Sequence, residues 1–256
     1  MEQWGELIKG LDAVKDAEDI FLCFPFAGGG ASAFYHWKEY LPDGIKVCPI
    51  QLPGREERIT DKPYTDITLV ADDVVKIMRN YDNNIVLFGH SMGAKIAYEV
   101  GKRLEAEGKN VKMLIAAGSR APHITEANPI YNLSNNEFKR ELARFEGTPK
   151  EILENKEFLD FFLPMLRADF TMDEVYGAKD KIRLKCPVLA LGGREDKEAD
   201  EGEIAAWEEY AAGMFEYSIF QGGHFFLRSS EEKMLSFIRG KIAEYAKNEN
   251  ERIYGE

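Results

Sequence analysis

Asn84-Ile-Val-Leu-Phe-Gly-His-Ser-Met-Gly93 is the stretch on which the fold turns. Its first half is a short apolar run rich in β-branched and aromatic side chains, the composition of a strand buried on both faces. From Ser91 to Glu107 the pattern changes to a helix, with Ile96, Val100 and Leu104 on one face and Gly108 placed to stop it. A GxSxG arises by chance on the order of once in ten chains of this length, so the bare motif decides little. Its setting decides more. Strand, sharp turn and helix are what a nucleophile elbow requires, with the serine hydroxyl exposed at the carboxyl end of the strand. Gly93, Ala94 and Ala97 would let the helix lie close against the strands.

Working outward, apolar runs alternate with helical periodicity over most of the chain, which predicts a largely parallel sheet covered on both faces. Strands are expected at Ile20–Phe24, Ile45–Ile50, Ile85–Gly89, Met113–Ala117, Pro187–Leu191 and Phe215–Phe220. Ile67, Val70, Val74 and Ile77 mark a helix over Asp66–Asn80. Ser229-x-x-Glu232 is a capping box for a last helix whose buried stripe is Leu235, Ile238, Ile242 and Tyr245. Residues 121–180 break the alternation. They hold no clear strand, two capping boxes (Ser134 with Glu137, Thr148 with Glu151), a helix carrying Phe138, Leu142 and Phe145 and closed by Gly147, and the greasy run Phe158–Phe170 with Pro164 inside it. Two readings stand: a helical insertion packed on the core, or a lid lining an apolar substrate pocket.

A serine hydroxyl is a weak nucleophile until a base takes its proton. Four histidines exist. His90 is locked beside Ser91, His36 lies in a helix-like segment before it, and His123 lies where the insertion begins. His224 follows the last strand in Gln221-Gly-Gly-His-Phe-Phe-Leu, where a loop can hang the imidazole over the elbow. In the order serine, acid, histidine, the acid ends the preceding strand. There Glu195, Asp196 and Asp200 compete, with Asp196 the leading choice. An oxyanion hole needs two backbone N–H groups. One is expected from Met92, the other from the loop after the first strand, at Phe26 or Ala27. That loop also matches GxGxxA (Gly28, Gly30, Ala33), but the next strand ends in Cys48-Pro-Ile-Gln with no acid for a ribose, and no GxxxxGK[ST] occurs.

With 256 residues, 33 Lys+Arg and 45 Asp+Glu, the chain has a net charge of −12 and enough apolar content for a sizeable core. Disordered and disulfide-scaffold classes are excluded. An acidic chain also repels phosphate backbones and anionic lipid, so neither nucleic acid nor a membrane is expected as partner. Cys23, Cys48 and Cys186 form no CxxC pair and read as buried reduced thiols rather than metal ligands. The first twenty residues have acids throughout and no apolar h-region, which reads against a signal peptide, and a cytoplasmic location is expected.

Several segments together carry a family resemblance. They are Leu22-Cys-Phe-Pro-Phe-Ala-Gly-Gly-Gly-Ala-Ser-Ala-Phe34, Gln51-Leu-Pro-Gly-Arg-Glu-Glu-Arg58, Phe88-Gly-His-Ser-Met-Gly-Ala94, Leu163-Pro-Met-Leu-Arg-Ala-Asp-Phe170 and Gly222-Gly-His-Phe-Phe-Leu227. The chain resembles the type II, stand-alone thioesterases of non-ribosomal peptide and polyketide synthesis, from about residue 20 to 240. The resemblance implies an α/β-hydrolase with a mostly parallel central sheet, helices on both faces and a helical lid insertion at 121–180, as one domain over 1–256. It implies Ser91 as nucleophile, Asp196 as acid, His224 as base, and the Phe26 region with Met92 as oxyanion hole. The implied reaction is hydrolysis of aberrant or stalled acyl groups from the phosphopantetheine arm of an acyl or peptidyl carrier protein. The carrier is a transient partner, and neither cofactor nor metal is needed. A monomer is expected. Arg55, Arg58 and Arg167 are candidates for touching an acidic carrier, an internal structural role being the other reading of each. The competing functions are another serine hydrolase, such as a medium-chain acyl-carrier thioesterase or a carboxylesterase, and a non-catalytic binding protein that kept the fold.

Overall fold

The computed structural model describes residues 7–142, 145 and 155–254. Six strands form one parallel sheet: β1 (Asp19–Phe24), β2 (Ile45–Pro49), β3 (Asn84–His90), β4 (Val111–Ala117), β5 (Val188–Gly193) and β6 (Phe215–Phe220), in the order β2-β1-β3-β4-β5-β6. All five strand pairings are parallel. Each expected strand is present with its ends moved by a residue or two.

Strand periodicity divides the core in two, because successive side chains point to opposite faces. Leu22, Phe24, Ile85 and Leu87 pack with α1 (Ile67–Met78) and α2 (Met92–Ala106). Phe21, Cys23, Val86 and Phe88 pack on the other face with Trp37 and with Met234, Leu235 and Ile238 of α7 (Glu231–Tyr254). Asp66 caps α1 by accepting from the Thr68 N–H at 2.7 Å. The buried stripe of α1 ends on Met78, with Ile77 at its edge. In α2 the close approach expected from small residues is realised. A Cβ built on Gly101 would lie 2.9 Å from Leu87 Cδ1.

Between β4 and β5 the described residues hold α3 (Asn135–Leu142) and α4 (Lys156–Val175) and no strand of the sheet. The two ends of this excursion are joined where the Ala178 N–H donates to the Pro122 carbonyl at 2.9 Å. Its apolar side chains form a cluster of their own around Phe138, Leu142, Leu159, Leu163, Leu166 and Phe170. The Ser134 box forms, with the Ser134 N–H and hydroxyl both donating to Glu137. The Thr148 box and Gly147 lie outside the described residues.

The Ser229 box does not form. Ser229 is taken up in a short turn of helix, α6 (Phe226–Ser229). The next helix opens one residue later, with the Ser230 carbonyl accepting from Met234 N–H at 2.9 Å. Ser229 Oγ is instead packed so tightly on Gly222 that a Cβ there would sit 2.5 Å away. The three cysteines are free and buried, and burial pushes the Cys48 thiol up to about 12. No helix among the described residues is long and apolar enough to cross a membrane.

Candidate active site

Ser91 joins β3 to α2 with φ 55° and ψ −121°, a conformation that L-residues adopt only under constraint. The constraint is visible on both sides of it. A Cβ on Gly89 would fall 2.1 Å from the Gly93 carbonyl oxygen, and one on Gly93 would fall 2.1 Å from the Phe24 carbonyl oxygen. Only glycine fits at either position. The strand, the helix and the loop after β1 thus meet at the serine, whose own N–H donates to the Ala117 carbonyl at 2.8 Å.

His224 arrives from the loop after β6, with Nε2 3.0 Å from Ser91 Oγ. Its Nδ1 lies 2.9 Å from Asp196 Oδ2, just beyond the end of β5. Asp196 is buried, and its Oδ1 also accepts from the Glu198 N–H at 2.8 Å and the Ala199 N–H at 3.3 Å. An ionised Asp196 can only accept, so the imidazole proton sits on Nδ1 and Nε2 keeps its lone pair for the serine hydroxyl. The two competing acids are occupied elsewhere. Glu195 accepts from the Gly222 N–H at 2.7 Å and from Gln221, bracing the histidine loop. Asp200 caps α5 (Glu201–Ala205) in a reciprocal box with Glu203.

Of the other three histidines, His36 and His123 stand apart from this constellation. His36 pairs with Glu231 at 2.9 Å and His123 faces Glu209 at 3.5 Å. His90 is fully buried, its ring 5.1 Å from that of His224 and against Phe26 and Phe225. Burial, with the His224 and Arg228 charges, holds its pKa well below the usual histidine value. A neutral ring therefore lies beneath the base.

The glycine loop after β1 is committed internally. Gly28 N–H donates to Asp169 Oδ2 at 2.7 Å, Gly29 N–H to the Phe26 carbonyl at 2.8 Å, and Ala31 N–H to Gln51 Oε1 at 3.2 Å. A phosphate would find these donors spent, and a Cβ on Gly30 would lie 2.3 Å from the Glu56 carboxylate. Phe26 and Ala27 line the cavity that opens on Ser91 and His224. Met92 opens α2, where the first N–H groups of a helix have no partner within it.

The anchor of this loop escapes sequence reading. Arg55 and Asp169 form a bidentate ion pair at 2.6 and 2.7 Å, both buried, and Arg55 also donates to the Gly29 carbonyl at 2.9 Å. The Leu-Pro-Gly-Arg and Leu-Arg-Ala-Asp-Phe segments therefore meet in one contact, 114 residues apart in sequence. Of the two readings open for Arg55, the internal structural one holds, since its guanidinium is buried in this ion pair. Arg58 holds Asp61 at 2.9 Å, while Arg167 holds Asn135 at 3.0 Å and lies 4.3 Å over the Phe138 ring.

The cavity also differs from the apolar pocket that a greasy insertion suggested. Its lining mixes the aromatic side chains of Phe26, Phe145, Phe170 and Phe225 with the charged ones of Lys95, Arg120, Asp173 and Glu174. The charged part of the lining comes from α2, from Arg120 beyond the end of β4, and from the last turn of α4, where hydropathy counting is dominated by the residues before it.

With the geometry in hand, the chain can be set beside known proteins. The Thioesterase domain family model matches residues 19–242. Linear gramicidin dehydrogenase LgrE of Brevibacillus parabrevis is 36% identical over 236 residues, covering 90% of each chain. Gramicidin S biosynthesis protein GrsT of Aneurinibacillus migulanus is 37% identical over 219 residues, 84% of this chain and 86% of its own. The solved structure of the type II thioesterase BorB from the borrelidin biosynthetic cluster superposes with a TM-score of 0.80. It is 31% identical, over 93% of this chain and 97% of its own.

Proposed function

The chain belongs to the thioesterase domain family, among the type II thioesterases of peptide and polyketide synthesis, and from that premise we propose that Ser91, His224 and Asp196 hydrolyse carrier-bound acyl thioesters. The observation that carries the reading is the unbroken relay from Asp196 through His224 to Ser91 Oγ at the mouth of a cavity.

The reaction follows from the contacts. His224 Nε2 takes the Ser91 proton as Oγ attacks the thioester carbonyl carbon, and Asp196 stabilises the imidazolium that forms. The N–H groups of Met92 and of Phe26 or Ala27 hold the developing oxyanion. Collapse breaks the carbon–sulfur bond, and His224 passes the proton to the departing pantetheine thiolate. Water then gives its proton to His224 and its oxygen to the acyl carbon. The carboxylic acid leaves and Ser91 recovers its proton. A thioester is a good acyl donor, so this chemistry calls on no cofactor. The dehydrogenase in the name of LgrE is not carried over, because the N–H groups of Gly28, Gly29 and Ala31 are spent on the protein itself.

The role we assign is removal of aberrant or stalled acyl groups from the pantetheine arm of a carrier protein that docks transiently. The helices between β4 and β5 supply the cavity wall opposite the sheet and serve as its lid. The test offers acyl-loaded carrier protein and a simple alkyl ester in parallel. The carrier thioester should be hydrolysed, and Ser91→Ala should lose at least about 10³-fold in kcat with its fold retained. Hydrolysis of the ester with the carrier thioester untouched would make the protein a carboxylesterase instead.

A further inference from the structure

The charged part of the cavity wall holds carboxylates that the reaction does not use, and Glu174 is one of them. Glu174 sits in the last turn of α4 and is 8% exposed. It accepts from the Ile130 N–H at 2.9 Å and the Tyr131 N–H at 2.7 Å, and both bonds fall on Oε2. The cations of the same wall are engaged with other acids. Lys95 Nζ lies 2.7 Å from Asp173 Oδ1, and Arg120 is paired with Glu126. Burial, with Asp173 and Glu126 close by, pushes the Glu174 carboxyl up to about 7. The carboxyl end of a helix disfavours negative charge as well. A clamp for two backbone N–H groups needs no charge, since an amide oxygen would accept both. A carboxylate held at such cost on the lining of the cavity, with its second oxygen engaged by neither N–H, fits a ligand that brings the missing positive charge. Aromatic rings on the lining of the same cavity suit the same ligand. Phe145 and Phe170 stand 5.0 Å apart on the cavity, and aromatic faces attract ammonium groups.

We propose that Glu174 selects for acyl groups carrying a protonated amine, aminoacyl or amine-bearing chains, over plain alkyl chains of the same length. This deepens the thioesterase reading and rests on it. The amine pairs with Glu174 Oε1 while the thioester carbonyl lies at Ser91, so the preference belongs to the acyl group and not to the carrier.

The experiment uses acyl-pantetheine thioesters in matched pairs, an amine-bearing chain against its alkyl counterpart, with the whole chain and no carrier protein. The amine member should be favoured by about tenfold or more in kcat/KM, the scale of one charge-assisted contact. Glu174→Gln keeps an oxygen for Ile130 and Tyr131 and should bring the ratio within each pair close to one. Glu174→Asp, which keeps the charge on a shorter stem, should retain part of the preference. A ratio near one in the wild-type protein overturns the inference, as does a preference that survives in Glu174→Gln. Equal losses on both members would mark Glu174 as structural and overturn it too. Failure to hydrolyse any thioester would instead strike the thioesterase reading beneath it.

Discussion

Ser91 shows how a single residue is held in a state that its own chemistry disfavours. A non-glycine residue at φ 55° costs on the order of 1–3 kcal/mol, maintained here by the Ala117 hydrogen bond and by glycines where no Cβ fits. Asp196 shows the complementary case of identity set by neighbours. The three candidate acids share the loop after β5 with Glu198, and spacing alone ranks them weakly, because each lies within reach of a loop histidine. Hydrogen bonds separate them, since Glu195 braces Gly222 and Asp200 caps a helix. Asp196→Asn should keep the two backbone contacts on its oxygen while its NH2 faces His224 Nδ1. That moves the ring proton to Nε2, which can no longer accept from Ser91. We expect kcat to fall on the order of 10⁴-fold with little change in thermal stability. A full-speed Asp196→Asn enzyme would return the role to another acid.

The elements were legible wherever one stretch of chain contains the whole signal. Strand runs, the α1 stripe, the Ser134 cap and the α2 stripe all depend on neighbours within a turn or two. The misreadings arise where a distant contact decides. Ser229 fits a capping box, yet the tight packing of its hydroxyl on Gly222 takes it into the preceding turn. Arg55 stays open between a carrier contact and an internal role until Asp169 of α4 is brought beside it. That pair joins the insertion to the loop after β1, and a buried pair broken on one side leaves an uncompensated charge. Arg55→Ala or Asp169→Ala should each cost about 3–5 kcal/mol in denaturant unfolding. Arg55→Met combined with Asp169→Leu should recover much of that loss, and additive penalties in the double variant would contradict a paired origin. Glu174 was not legible for a similar reason, since only the fold turns the end of a greasy helix toward the active site.

For the molecule as a whole, the net charge of −12 acquires a finer meaning. Carrier proteins are acidic too, so long-range attraction does not drive the encounter, and Arg55, Arg58 and Arg167 are all held by internal partners. The groups proposed for catalysis come from four separate loops and converge because all six strands are parallel and end on the same edge. Every part of the account depends on that convergence making Ser91 the residue that carries the acyl group. The direct measurement is mass spectrometry of the protein quenched during turnover of an acyl-pantetheine thioester, with the modified peptide sequenced. The account predicts the acyl group on Ser91 in the wild-type protein and none in Ser91→Ala. Turnover with the acyl group on another side chain, or unimpaired turnover by Ser91→Ala, would contradict it.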